Sequence, residues 1–328
     1  MNHGVGLFPE SVSAAVSFVK YVDDSPYEKL WITDSHRLYT DPYVTLAQCA
    51  EATDRIELST GVTNPITRHP TVTANAIASV NEISDGRTTL AIGAGDSAVY
   101  SIGKTPAGVT ELADSVTDIR ALFDGEMVEF DGEPFALEAG EPPTAVHVAA
   151  EGPKTLRMAG EVGDGVIFGG GTDPEAVDAA FERIAAGCAD AGRSIDDVTV
   201  TALAPTCVAE TTAEAVDELL DILEPIAYHN FSVSTDDAPP DLRLELERLV
   251  DRHDMAEHGQ SDAAPARSLS DDLKRYLGDR FAIAGPPERC RDRIASLADR
   301  GVDAVYHGFP TRDVPGHART FAERVLDE

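Results

Sequence analysis

The chain has 328 residues, 42% of them hydrophobic, with 58 acidic against 26 basic side chains and a formal net charge of −32. So acidic a surface repels phosphodiester backbones, which sets nucleic acid aside as a partner. No apolar run reaches the roughly 18–20 residues of a membrane span, and the N-terminus lacks a basic stretch followed by an apolar one, so no membrane association and a cytoplasmic location are expected.

Taken in chain order, residues 5–8 form a short apolar strand ended by Pro9, and Ser11 caps a helix with Ala15, Val16 and Val19 at helical spacing. Residues 29–33 are a second strand; Asp41-Pro42 opens a helix through Ala52, with proline in its first turn. A third strand spans 55–62, Pro70 opens a helix over 71–83, and a fourth strand over 87–92 runs into Gly93-Ala94-Gly95-Asp96. A helix over 109–123 leads to an acidic loop. Then come a strand at 146–150, a helix at 153–162 and a strand at 165–168 that ends in three glycines. A helix from Pro174 to Ala191, a strand at 198–203 and a helix at 212–222 follow. A helix at 286–299, a strand at 302–306 and a helix at 315–327 close the chain.

Eight strand–helix units give either a closed α/β barrel or a doubly wound sheet. The count of eight, and the lack of a Gly-rich turn after the first strand to mark a dinucleotide crevice, favour a (β/α)8 TIM barrel formed by residues 1–328 as a single domain. Residues 226–270 break the rhythm and read as an insertion after the seventh strand, a lid or a dimer contact.

In such a barrel the site lies at the C-terminal ends of the strands. That rule selects Thr33, Asp34 and His36; Gly61 to Asn64; Gly93 to Asp96; Glu151 and Gly152; Gly169 to Thr172; and His307 and Gly308. Glycines before a helix let backbone N–H groups approach a phosphate, or simply make a tight turn. Asp34 and Asp96 could relay a proton or cap the next helix. His36 could donate to a cofactor or be an ordinary loop residue. Arg68-His69 could hold an anionic tail or be a surface pair. Trp31 and Tyr39 read as packing. Cys49, Cys188, Cys207 and Cys290 are widely spaced with no CxxC, which reads as reduced thiols, and with HExxH and a Ser/His/Asp triad also absent no metal is expected. Only five of the basic residues are lysine, and this acid-rich, lysine-poor balance fits a salt-in halophile cytoplasm or, alternatively, a merely acidic mesophilic protein.

Four segments carry a resemblance: residues 30–36 (Leu-Trp-Ile-Thr-Asp-Ser-His), 61–70 (Gly-Val-Thr-Asn-Pro-Ile-Thr-Arg-His-Pro), 82–87 (Glu-Ile-Ser-Asp-Gly-Arg) and 93–96 (Gly-Ala-Gly-Asp). In this order and spacing the chain resembles the luciferase-like oxidoreductases, and within them the coenzyme-F420-dependent methylenetetrahydromethanopterin reductases, over roughly 4–225 and again over 280–308. The resemblance implies a barrel with an insertion after strand 7 that binds the deazaflavin coenzyme F420, or alternatively FMN, at the strand C-terminal ends. It implies a non-prolyl cis peptide at Gly61–Val62, forming a bulge behind the bent face of the ring. Asp34, Thr63 and Asn64 would line the ring; Gly152, Pro153 and Gly169, Gly170 and Gly171 would hold the phosphate region, with Glu151 beside them. Asp96 would sit at the substrate mouth, and Asp34 and Asp96 would be the catalytic acids. A homodimer and a small-molecule substrate are likewise implied. The expected reaction is hydride transfer between reduced deazaflavin and a C1-carrying pterin or folate, or a related imine or alcohol. The alternatives are an FMN-dependent monooxygenase and a non-catalytic flavin-binding paralogue. Two positions depart from the pattern: Gly6 stands where the pterin reductases carry a glutamate on strand 1, and Ser35 where a histidine is frequent. Another acid, such as Asp34, Asp96 or Glu151, then has to serve, or the substrate differs.

Overall fold

The computed structural model describes residues 1–143, 145–252 and 269–327, so residues 253–268 of the expected 226–270 insertion lie outside the described residues. The strands, in chain order, are β1 (Asn2–Leu7), β2 (Lys29–Ile32), β3 (Glu57–Thr60), β4 (Thr88–Ile92), β5 (Val128–Phe130), β6 (Glu133–Phe135), β7 (Val146–Ala150), β8 (Gly165–Phe168), β9 (Thr199–Val208), β10 (Ile283–Gly285) and β11 (Ala304–Gly308). Eight of them close a parallel barrel in the order β1–β2–β3–β4–β7–β8–β9–β11, with β11 pairing back onto β1 through Asn2↔Ala304 to Val5↔His307. The fold is the expected (β/α)8 barrel.

Strands of a closed barrel are buried on both faces, which is why β2 and β8 are apolar nearly throughout. Val5, Leu30, Ile32, Leu58, Leu90, Ile92, Val146 and Val166 point outward into the main core, against the surrounding helices. The bore holds a separate small cluster of Trp31, Ala91, Ile167 and Tyr306. Trp31 and Tyr306 stack with ring centroids 4.4 Å apart and planes 7° from parallel. β1 makes room for them: a Cβ at Gly4 would stand 2.3 Å from the Trp31 ring, and one at Gly6 would stand 2.3 Å from the Tyr306 ring and 2.9 Å from its hydroxyl. Gly6 therefore marks a position filled by a neighbouring phenol. Below the pair, Lys29 lies 2.6 Å from Glu57 and 5.2 Å from the Trp31 ring.

The helices start where the sequence places their caps. Ser11 accepts from Ala14 N–H at 3.2 Å, and Asp41 accepts from Tyr43 and Val44 ahead of the helix Pro42–Ala50. Helices Pro153–Val162 and Pro174–Asp190 meet backbone to backbone: a Cβ at Gly187 would lie 1.8 Å from the Arg157 carbonyl oxygen, and one at Gly160 would lie 2.3 Å from that of Ile184. No helix among the described residues is long and apolar enough to cross a membrane.

Three features differ from the sequence reading. The acidic loop contains the antiparallel hairpin β5–β6, turned by Asp131 and Gly132, both at positive φ. The helix expected at 212–222 is two helices, Thr212–Glu218 and Leu220–Phe231, meeting at Leu219. With Arg243–Arg252 and Asp271–Phe281 they bury an apolar cluster of their own around Leu219, Leu223, Leu246, Leu273, Leu277 and Phe281. β9 runs on to Val208, and β10 pairs with its second half through Ile283↔Thr206 to Gly285↔Val208.

His307, expected at the mouth, faces outward instead. It is fully buried between the barrel wall and helix Val314–Phe321, 3.0 Å from His3 and 2.9 Å from the Thr206 hydroxyl. Burial, reinforced by the neighbouring His3, pushes its pKa well below the ordinary value. Burial and the N-terminal charge lower His3 to about 4, and burial and Lys29 lower His147, inside the barrel, to about 3. These groups stay neutral in the fold while the unfolded chain protonates them, so stability is complete above the unfolded value and is lost as pH falls below about 6.5, at up to about 1.4 kcal/mol per pH unit for each histidine. Urea midpoints are expected to drop from pH 7 to pH 5, with a smaller drop in the His3→Gln/His307→Gln double variant. Equal slopes in the two proteins would contradict this account. Gly187→Val is expected to cost about 2 kcal/mol or more by overpacking, read as a lowered urea midpoint against a control at exposed Val44.

Candidate active site

The exits of β2, β3, β4, β7 and β8 form one continuous side of the barrel rim. At the β2 exit the Asp34 side chain is fully buried. Its Oδ2 accepts from the Thr63 hydroxyl at 2.7 Å and from Arg68 at 2.5 Å. Arg68 also reaches Asp41 at 2.8 Å and lies 5.0 Å over the Tyr43 ring. Its charge is thus committed inside the protein, which removes it from both readings offered above. Asp34 does not cap a helix, since Asp41 does that. Its Oδ1 is buried with no hydrogen-bond partner in the protein. Leaving such an oxygen unsatisfied costs about 1–3 kcal/mol. Ser35 bonds Ser97 at 2.8 Å, tying the β2 exit to the β4 exit, while His36 is exposed.

At the β3 exit the Gly61–Val62 peptide is cis. The Gly61 carbonyl accepts from the Tyr306 hydroxyl at 3.3 Å, and a Cβ on Gly61 would lie 2.6 Å from that of Trp31. Thr63 is fully buried and is stitched to β4 through Thr63 N–H to Ala91 O and Gly93 N–H to Thr63 O. The Asn64 side chain closes its own turn, accepting from Ile66 and Thr67 N–H at 3.0 and 2.9 Å. Gly95, at φ +99, packs so tightly on Val99 and Asn64 that no side chain fits. Asp96 starts the short helix Ser97–Tyr100, yet its side chain makes no capping bond. It turns instead to His229 Nε2, 3.4 Å away, on helix Leu220–Phe231.

At the β7 exit, half-buried Glu151 leans across the rim, its Oε1 2.9 Å from where a Cβ on Gly169 would stand. Gly152 opens helix Pro153–Val162 with no side-chain cap, and nothing lies within 4 Å of the Cβ it lacks. Gly152, Pro153 and Lys154 are all exposed, so the first turn of this helix lies at the surface. The loop Gly169–Gly171 is different. The helix after it is capped by Asp173, which accepts from Glu175 and Ala176, and Gly171, at φ +142, is wedged between Ala176 and the Arg280 carbonyl. The Gly169 carbonyl accepts from Asn230, next to His229, at 3.4 Å.

The structure thus joins Asp34 to Thr63 and Asp96 to His229 on one rim, with Glu151 near enough for its charge to act on both Asp96 and His229. Burial raises the Glu151 pKa, Asp96 adds to the rise, and His229 opposes it. Burial works against an imidazolium at His229, but the bond to Asp96 and the charges of Glu151 and Asp96 outweigh it and raise its pKa. His229 was not singled out from the sequence. It sits in an ordinary helical pattern, and its two partners arrive from distant strands.

The luciferase-like monooxygenase family description matches residues 2–304. The chain is 31% identical to a 5,10-methylenetetrahydromethanopterin reductase of Methanolobus tindarius over 328 aligned positions, 94% of both proteins. It is 28% identical to an F420-dependent glucose-6-phosphate dehydrogenase of Nocardia farcinica, over 86% of this chain and 79% of the relative. The solved F420-dependent tetrahydromethanopterin reductase of Methanopyrus kandleri superposes with a TM-score of 0.74 at 23% identity, covering 99% of this chain and 98% of that one. This rim of glycines and buried acids on a closed barrel is that of a member of the luciferase-like monooxygenase family, to which the chain belongs.

Proposed function

We propose that the chain is a coenzyme-F420-dependent oxidoreductase that moves a hydride between the reduced deazaflavin and a C1-carrying pterin or folate. The observation that carries this reading is Asp34 Oδ1, a buried acceptor with no protein donor, beside a rim where side chains have no room at Gly61 and Gly95 and little at Gly93. A heterocycle with an N–H or O–H edge satisfies that oxygen. Asp34, Gly61, Val62, Thr63 and Asn64 would hold the ring, with Glu151, Gly152, Pro153 and Gly169 to Gly171 along the phosphate side. Bound there, the deazaflavin supplies the two-electron hydride chemistry.

The chain's own residues do the rest. The backbone at Gly61, braced by Tyr306, fixes the floor of the site. Arg68 locks the Asp34 carboxylate against rotation through Asp34 and Asp41 together. The bare N-terminus after Gly152 offers amide donors to an anion. Helix Leu220–Phe231 lies over the Asp96–Glu151–Gly169 side, leaving His229 and Asp96 about one-third exposed. Asp96 and Glu151 are the acids placed to manage the substrate proton. The Tyr306 ring at Gly6 leaves no strand-1 carboxylate, which favours a second reading of the substrate as a carbonyl or alcohol whose proton is handled across the rim.

In molar salt, titration with coenzyme F420 is expected to quench its fluorescence with micromolar affinity, and FMN is expected to give no binding. Tight FMN binding without F420 binding would replace this proposal with the flavin monooxygenase reading. Asp34→Asn should weaken F420 binding at least about tenfold, equivalent to about 1.4 kcal/mol. Gly152→Asp separates the phosphate side from folding. Its backbone at φ −77, ψ 155 suits any residue, and an aspartate there caps the helix, so stability holds or rises by a few tenths of a kcal/mol. The same carboxylate should raise the Kd for F420 about tenfold or more, and an unchanged Kd would remove Gly152 from the site.

A further inference from the structure

We propose that His229 is a positioning residue that gathers Asp96 from the β4 exit and Glu151 from the β7 exit into one proton-handling trio, with Glu151 the donor to substrate. The proposal rests on the hydride-transfer reading and adds a residue and a division of roles to it. The geometry carries it. At the end of helix Leu220–Phe231, two residues tie the insertion to the barrel rim and the next anchors the helix within the insertion. His229 Nε2 meets Asp96 at 3.4 Å, Asn230 donates to the Gly169 carbonyl at 3.4 Å, and Phe231 enters the insertion's apolar cluster beneath Arg280. His229 is held in register by the seat of its own helix, and Glu151 leans over Gly169, the residue whose carbonyl Asn230 grips.

The surroundings favour an imidazolium. Asp96 faces it from the β4 exit, with Tyr100 near Asp96 and Tyr228; the Glu151 charge acts on it from the β7 exit, and Tyr228 sits edge-on at 5.5 Å on its own helix. The β8 exit offers only glycines there, Gly169 to Gly171. His229 lies in the last helical turn, where the helix dipole stabilises a cation. Burial pushes the Glu151 pKa up, His229 opposes the rise and Asp96 adds to it, so the net shift is toward the protonated acid.

The step balances as follows. Were reduced deazaflavin bound, it would supply the hydride to the electrophilic carbon of a C=O or C=N group. The π electron pair would move to the heteroatom, which would take the Glu151 proton, leaving Glu151 a carboxylate near the His229 cation until solvent reprotonates it. In this arrangement His229 acts through Asp96 and Glu151. It orients Asp96 and steadies the carboxylate that Glu151 becomes.

Two measurements test this, one of them without cofactor. Histidine NMR titration of the apoprotein, assigned with His229→Gln, should place the His229 midpoint above 6.5, and Asp96→Asn should lower it by about one pH unit. An unmoved midpoint overturns the trio whether or not the protein binds F420. In turnover, His229→Gln should lower kcat about ten- to a hundredfold and shift the acid limb of the pH profile, with the Kd for F420 and the melting temperature nearly unchanged. An unchanged kcat and pH profile would overturn the positioning role. Absence of F420 binding by the wild-type protein would instead overturn the proposed function, and the NMR arm would still decide the trio.

Discussion

The Trp31–Tyr306 stack decides what kind of cavity this barrel can offer. An eight-stranded bore is just wide enough for side chains to fill, and here two aromatic rings fill its middle, with glycines on β1 and at the β3 exit giving way to them. The pair contributes about 0.5–1.5 kcal/mol beyond its buried area. It also plugs the bore beneath the rim, where the Tyr306 hydroxyl donates to the Gly61 carbonyl.

The rim itself is held by polar bonds that run between strand exits. Thr63 and Arg68 fix Asp34, Ser35 and Ser97 join the β2 and β4 exits, and Asn230 joins the insertion to the β8 exit. These are short links among otherwise separate loops. They pre-set positions that a ligand would otherwise have to order at an entropic cost.

Much of this was legible in the sequence because its signals are local. Strands buried on both faces read as apolar runs, Asp41-Pro42 and Ser11 announce helix starts, and strand exits locate the rim. The hairpin was legible too and was missed. Asp131-Gly132 between Phe130 and Phe135 is a two-residue turn signal, masked by the acidic residues around it. Other features are not local. A three-residue strand such as β10 carries no period. The outward face of His307 depends on register within a strand whose two faces are both buried, and alternation cannot reveal it. Gly6 reads as a lost carboxylate until the Tyr306 ring, from the far end of the chain, is seen in its place. His229 gains meaning only from groups on β4 and β7.

One strand serves two structures. β9 gives its first half to the barrel, pairing with β11 as far as Pro205↔Gly308, and its second half, from Thr206, to β10 and the helical insertion. Proline at the changeover has no N–H to lose, so the ladder can switch partners there without leaving a donor stranded. The insertion is therefore grafted onto the wall by shared backbone and not merely appended through a linker. A blow that loosens its apolar cluster will tug on the same segment that completes the cylinder, and the two should come apart in a single cooperative event.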